Sequence, residues 1–361
     1  MYGDYDDSLF TVIRDVIMNS IHGGDIYRNK IKYDFSVSIN PLKIPEEITD
    51  VLRESVDFAG CYPDYQQAGL REALSHAHNI PAENILTGNG ASELLMAVVH
   101  GLAPKRAVIP VPSFYGYRHA IDAARCDVTY VYTDEDDGFV PGTDFCDKII
   151  NGTDLCIIAN PGNPSGRLLD KKYILSLADK CREAGGYLLV DECFMELSDR
   201  DESVVGAPYK YDNLLILKAF TKSYGIPGVR LGYLLTGDIA LADRIGRHLP
   251  EWNVSVFGER AGIECLNHPG FPKEAVKVIA KEKEYINEKL AKYDIKVFDS
   301  NCNFFLINTE IPLYDMLLEK GILIRDCSNF EGLGMGYYRI AVRCHDENKV
   351  LIKAIGECFE K

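Results

Sequence analysis

Apolar residues at helical spacing open the chain. In LFTVIRDVIM (9–18), Val12, Ile13, Val16 and Ile17 fall on one face. A second amphipathic stretch, 45–56, starts with Pro45 and Glu46, which suit a first helical turn, and continues through Ile48, Val51, Leu52 and Val56. From about 85 to 235 the pattern changes to short runs that are apolar at every position: AVIPV (107–111), TYVY (129–132), LCIIA (155–159), YLLV (187–190), LLIL (214–217) and LGYLL (231–235). Such runs predict strands covered on both faces. Amphipathic stretches such as 170–184 alternate with them, which predicts an α/β fold with a mostly parallel sheet between helices. Beyond 250, a charged helix over 272–292, the short runs KVF, FFLIN, ILIRD and YRIAV, and a last helix over 346–360 predict a smaller α+β domain. The expected division is an arm with part of the small domain (1–50), a large domain (51–245) and a small C-terminal domain (246–361).

Charge narrows the partners. With 39 Lys and Arg against 54 Asp and Glu, the formal net charge is −15. Such a chain repels a polyphosphate backbone, so nucleic acid is not expected to bind, and any phosphate must be held by a local cluster of donors. The 361 residues suffice for a large core without metal or disulfide staples. Eleven cysteines lie scattered from Cys61 to Cys358 with no Cys-x-x-Cys pair, and no metal site is indicated. Most sit in apolar runs and read as small buried hydrophobes in a reducing cytoplasm. The acidic start MYGDYDDSLF lacks the basic region of a signal peptide, and no apolar run approaches the ~20 residues that span a bilayer.

Chemistry concentrates where the strand-like runs end, the place where parallel sheets bind ligands. Lys222 follows LLIL by a few residues in LLILKAFTKSYGIPGVRLGY, and Arg230 follows in G-x-R-x-G, which suits a guanidinium aimed at phosphate. Asp191 closes YLLVDE; a carboxylate past an apolar strand needs a cationic partner. Asn163 sits in ANPGNPSG after another strand, and TGNGASELL (87–95) joins a run to a helix whose first N–H groups would receive an anion. Taken singly, each has an ordinary explanation: a solvated lysine, a helix cap, a Pro/Gly turn. Taken together, they supply a lysine for a Schiff base, an acid for a ring nitrogen, an amide for a ring hydroxyl and donors for a phosphate.

On these motifs and their order, the chain resembles the fold-type I pyridoxal-phosphate enzymes of the class I/II aminotransferase superfamily over essentially its whole length. The resemblance implies a large aminotransferase-like domain, a smaller C-terminal domain and pyridoxal 5'-phosphate as cofactor. It implies that Lys222 bonds the cofactor and shuttles protons, Asp191 pairs with the pyridine nitrogen and Asn163 meets the ring hydroxyl. Phe114 would stack on the ring, with Ala91, Ser92 and Arg230 on the phosphate. Tyr62, in CYPDY, would reach the cofactor phosphate of a partner subunit, which implies a homodimer. Arg339, in YRIAVR, would grip the α-carboxylate of a small amino-acid substrate.

Two subfamilies compete, threonine-phosphate decarboxylase and histidinol-phosphate aminotransferase. HGGDIY (22–27), DFSVSINPL (34–42), TKSYGIPGVRLGY (221–233) and LIRDCSNFEGL (323–333) resemble the decarboxylase more. By that resemblance His22, Asn40 and Arg325 help hold the substrate phosphate or carboxylate, and cobalamin synthesis is the implied pathway. Phe194 in DECF stands where many aminotransferases carry a tyrosine, and Ala219 stands where a serine commonly touches the cofactor phosphate. Residues 28–33 are short for the decarboxylase. An aminotransferase of the histidinol-phosphate type remains the alternative. A non-catalytic ligand-sensing domain is a third reading, opposed by the retained Lys222, Asp191, Asn163 and Arg230 and by the lack of a segment or basic patch for a DNA-binding module.

Overall fold

In the computed structural model, which describes residues 22–207 and 210–360, successive residues of the central strands enter opposite cores. On β5 (Leu155–Ala159), β6 (Tyr187–Asp191) and β7 (Leu214–Ala219), one alternating set is Ile157, Leu189, Leu215 and Leu217. It packs with Leu94 and Val98 of the helix Ala91–Leu102 and Ile121 of the helix Tyr115–Ala123. The other set, Cys156, Ile158, Leu188, Val190 and Ile216, packs with Ile174, Leu177 and Cys181 of the helix Lys171–Ala184. Helices on both faces are why these runs show no polar alternation.

The remaining strands of this sheet are β2 (Ile85–Gly88), β3 (Arg106–Val111), β4 (Asp127–Tyr132) and β8 (Gly232–Thr236), in the order β2-β8-β7-β6-β5-β3-β4. All neighbours run parallel except β8, which is antiparallel to both β2 and β7. The run TYVY departs from expectation. It lies in the edge strand β4, where Val131 alone is buried and Tyr132 is exposed, because among the described residues no further strand pairs with that edge.

The second body is an antiparallel sheet of β9 (Lys296–Val297), β10 (Phe304–Asn308), β12 (Arg325–Asp326) and β13 (Tyr337–Ala341), ordered β12-β13-β10-β9. The helices Phe271–Leu290 and His345–Phe359 cover one face through Ile279, Ile286, Leu351 and Ile355. The run ILIRD splits in two. Its first half, β11 (Ile322–Leu323), pairs with β1 (Tyr33–Asp34), and its second half is β12. Phe35 extends the tie, donating to Leu323 and accepting from Ala341, and its side chain packs in the small core. The expected break at 245/246 precedes the change of core. Val254 and Cys265 still pack with Leu70 and Leu231, and Ala275 is the first later residue in the small core. The expected helix at 9–18 lies outside the described residues.

Register places the site. Ala159 lies beside Asp191, Asp191 beside Leu217, and Ala219 beside Gly232, so β5 and β6 finish level and β7 runs two residues further before the turn that carries Lys222. Gly232 is also opposite Gly88, and a Cβ at Gly232 would come within 2.8 Å of the Ala91 nitrogen. This close approach sets the helix Ala91–Leu102 beside the turn that carries Lys222.

Behind these ends a buried ion cluster joins β6 to β7. The Lys218 Nζ lies 3.0 Å from Glu192 and 2.7 Å from Glu196, and Glu192 also accepts from the Val204 N–H and the Ser203 hydroxyl. Lys218→Met would leave the Glu192 charge buried without a cation. It is expected to cost about 3–5 kcal/mol, read as a lower urea midpoint than the parent chain.

Candidate active site

Lys222 sits in the one-turn helix Phe220–Ser223 immediately after β7. Asn40 holds this turn from below. Its N–H donates to the Lys222 carbonyl at 2.9 Å and its amide to the Ser223 carbonyl at 2.7 Å, while its Oδ1 accepts from the Leu42 N–H at 2.9 Å. With its backbone held, Lys222 extends into a cavity of about 220 Å³, its Nζ 5.6 Å from the centre of the Phe194 ring. Burial, and then the Arg339 charge, pull the ammonium down to about 8.

Asp191 reaches the same cavity from the end of β6. The Tyr117 hydroxyl donates to one carboxylate oxygen at 2.7 Å and the Cys193 N–H to the other at 3.0 Å, which fixes the plane of the group. Burial pushes the Tyr117 phenol well up, with the Asp191 charge adding to it, so Tyr117 remains a donor. Phe114 lines the cavity from the loop after β3, its ring edge-to-face with Tyr117 at 5.6 Å. Asn163, after β5, accepts a hydrogen bond from Arg339.

Cationic groups stand on two sides. At the start of the helix Ala91–Leu102, Gly90 has φ of +82°, and a Cβ there would lie 2.4 Å from the Arg230 guanidinium. Only glycine leaves room there for the guanidinium, so Arg230, Ser92 and the first helix N–H groups border one side of the cavity together, a cradle for an anion. Across the cavity, Arg325 and Arg339 are opposite each other on β12 and β13. Both are buried, and among the described residues neither has a carboxylate within 4 Å. Arg339 donates to the Ser36 carbonyl, and its Nε has no partner among the described residues. Burial lowers both guanidinium groups, Arg339 to about 10. His22, at the rim, is lowered by burial and then by Arg325, so at pH 7 it is neutral. Among the described residues the lining thus carries Lys222, Arg230, Arg325 and Arg339 against Asp191, an excess of positive charge in a chain of net charge −15. A buried guanidinium without a counter-ion costs several kcal/mol, and anionic ligands relieve that cost.

The family model for aminotransferase class I and II matches residues 30–355. The chain belongs to this aminotransferase family. It is 30% identical to the threonine-phosphate decarboxylase of Salmonella typhimurium, over 94% of this chain and 96% of that protein. The solved histidinol-phosphate aminotransferase of Clostridium acetobutylicum superposes with a TM-score of 0.84 at 31% identity, covering 91% of this chain and 99% of the other. The L-threonine-O-3-phosphate decarboxylase of Porphyromonas gingivalis gives 0.81 at 25% identity, with the same coverage of 91% and 99%. With this membership and the lysine, acid, amide and arginine in one cavity, the chain is an enzyme and not a ligand-sensing domain.

In this aminotransferase fold, Lys222, Asp191, Asn163, Phe114, Ala91, Ser92, Arg230, Arg325, Arg339 and His22 all line one cavity. Two expected residues do not. Asn40 is corrected from substrate ligand to turn holder, because its side-chain oxygen and nitrogen are both engaged by backbone. Tyr62 is 81% exposed and stacks on Trp252 at 4.9 Å, away from this chain's cavity. Residues missed by sequence reasoning include Tyr117, the Cys193 N–H and Thr221, a hydroxyl-bearing lining residue just before Lys222. Tyr117 lies one helical turn beyond Phe114 in SFYGY, a spacing that puts both on one side.

The lowered Lys222 has a direct consequence in solution. Its neutral, nucleophilic form predominates above about pH 8, whereas an ordinary lysine needs a pH above ~10.4. In cofactor-free protein, acylation of Lys222 followed by peptide mass spectrometry should reach half its maximal rate near pH 8. Arg339→Gln removes a like charge and should move that midpoint upward.

Proposed function

We propose that this enzyme binds pyridoxal 5'-phosphate and removes CO2 from a small phosphorylated amino acid, L-threonine phosphate being the substrate to test. The observation that carries the substrate class is the pair Arg325 and Arg339, buried side by side without a carboxylate partner among the described residues. They stand apart from the cradle at Gly90 and Arg230, so the cavity offers two anion sites and not one.

The residues present fit the cofactor. Glycine at position 90 lets the Arg230 guanidinium pack against the start of the helix Ala91–Leu102, and this guanidinium with Ser92 and the first helix N–H groups would hold its phosphate. Asp191, held by two donors, suits a protonated ring nitrogen, with Phe114 against the ring and Asn163 toward its hydroxyl. When bound, pyridoxal phosphate supplies an electron sink for the bond broken at the substrate's α-carbon. Lys222, lowered to about 8, still carries a proton near neutral pH and would deliver it to the α-carbon in place of the departing CO2. Arg339 takes the α-carboxylate. Arg325, with neutral His22 as an added donor, takes the phosphate. Holding both anions would fix rotation about the substrate's Cα–N bond, so Arg325 and Arg339 would select which group is lost from the α-carbon.

The relatives of both kinds support a second reading, an aminotransferase of the histidinol-phosphate type, because the same residues serve either outcome. The exposed aromatic and apolar patch of Val56, Phe58, Tyr62, Tyr65 and Trp252 supports a homodimer in which Tyr62 reaches the partner's cofactor phosphate. Eleven unpaired thiols support a cytoplasmic setting, and likeness to a relative named as an adenosylcobalamin biosynthesis bifunctional protein, from Leptospira interrogans, supports a role in cobalamin synthesis. Among the described residues no helix is long and apolar enough to cross a membrane.

Incubation of the purified holoenzyme with L-threonine phosphate, without a keto acid, should release CO2 over many turnovers. Conversion of the cofactor to its amine form once per site, without CO2, would establish the aminotransferase reading. No spectral change would reject this substrate. Ala219 lines the cavity without a hydroxyl, so Ala219→Ser should tighten cofactor binding about fivefold by equilibrium dialysis, the worth of one hydrogen bond of ~1 kcal/mol.

A further inference from the structure

Arg325 owes its place to the loop 327–336 that follows it. Its Nη2 donates to the Asn329 Oδ1 at 2.7 Å, another guanidinium N–H donates to the Asp326 carbonyl, and its charge lies 5.0 Å from the centre of the Phe330 ring. Phe330 itself lines the cavity. Asn329 and Phe330 therefore decide where this cation sits.

The next residue leaves the small domain's own contacts. Glu331 accepts a hydrogen bond of 2.5 Å from the hydroxyl of Tyr132, the last residue of the edge strand β4. Beside it, a Cβ at Gly332 would be 3.5 Å from both the Pro112 nitrogen and the Tyr132 ring, so the loop lies against the ends of β3 and β4. A second tie runs parallel. Glu135 accepts from Tyr337 and from Lys296, each at 2.6 Å, over a cluster that joins Phe139 to Phe298 and Phe330. Glu331 has no ion pair among the described residues, although it stands one position past the wall of a cation-rich cavity. A neutral phenol, not an arginine, holds it.

We propose that Tyr132 and Glu331 are positioning residues of the substrate anion site. Their hydrogen bond fastens the loop to the edge of the large domain, which fixes Asn329, Phe330 and the Arg325 guanidinium in the cavity wall. It also directs the Glu331 carboxylate toward Tyr132, leaving Arg325 free for an external anion. The inference rests on the reading of Arg325 as a ligand of the substrate phosphate.

The test uses holoenzyme and L-threonine phosphate, with KM and kcat measured beside the dissociation constant from spectral titration. Tyr132→Phe should raise KM and the dissociation constant about fivefold while kcat and cofactor affinity stay unchanged. Glu331→Ala should match it. Glu331→Gln keeps a carbonyl acceptor for the Tyr132 hydroxyl and should restore near-parental values. The double variant Tyr132→Phe/Glu331→Ala should be no weaker than either single one. Unchanged binding in Tyr132→Phe, or additive losses in the double variant, would overturn the proposal. Arg325→Gln separates the two readings. If it weakens binding and Tyr132→Phe does not, the fastening role alone fails. If it leaves binding unchanged, the assignment of Arg325 fails and this proposal with it.

Discussion

Uncompensated positive charge in a closed cavity is the constraint around which this molecule is arranged. Arg325 and Arg339 are buried as neighbours on adjacent strands, a costly placement in low dielectric, and no described carboxylate answers either one. Arg230 presses on Gly90, where no side chain fits. Asp191, the one carboxylate among the described lining residues, is already held by Tyr117 and the Cys193 N–H. The chain's overall charge of −15 makes this local excess more selective, since anions are repelled elsewhere and attracted here. Ligands with separated anionic groups complete the electrostatics that folding alone leaves open.

The two bodies divide the chemistry between them. From the strand ends of the large sheet come the amine, the acid, the amide and the aromatic ring. The small antiparallel sheet brings the two substrate-side arginines. The Arg339–Asn163 hydrogen bond and the Tyr132–Glu331 contact cross from one body to the other, so the cavity's geometry is a property of how they meet. Decarboxylation and amino transfer share one set of groups. Small differences in where the second body holds its arginines therefore separate the two reactions more than any change in the catalytic residues.

Most of the architecture was legible in the chain because its signals are local. Runs apolar at every position marked β5, β6 and β7, and helical periodicity marked 170–184, 272–292 and 346–360 to within one or two residues of the observed helices. The run TYVY misled because composition does not reveal whether a strand is central or at an edge. Most cysteines are expected to be buried, and seven of the eleven are, with Cys61 and Cys344 exposed. Asn40 was misassigned because a polar residue in a turn looks the same whether it faces a ligand or a neighbouring carbonyl.

By itself the sequence determined the fold class, the order of the elements and the identity of the chemical groups at the strand ends. Each of these follows from side-chain type and short-range spacing. Only the tertiary structure decided which groups converge. Tyr117 meets Asp191 across 74 positions, and Tyr132 meets Glu331 across 199. The lowering of Lys222 comes from burial and from an arginine on a different domain. Such couplings depend on distances between elements far apart in the chain, and those distances are set by strand register and by how the two cores pack.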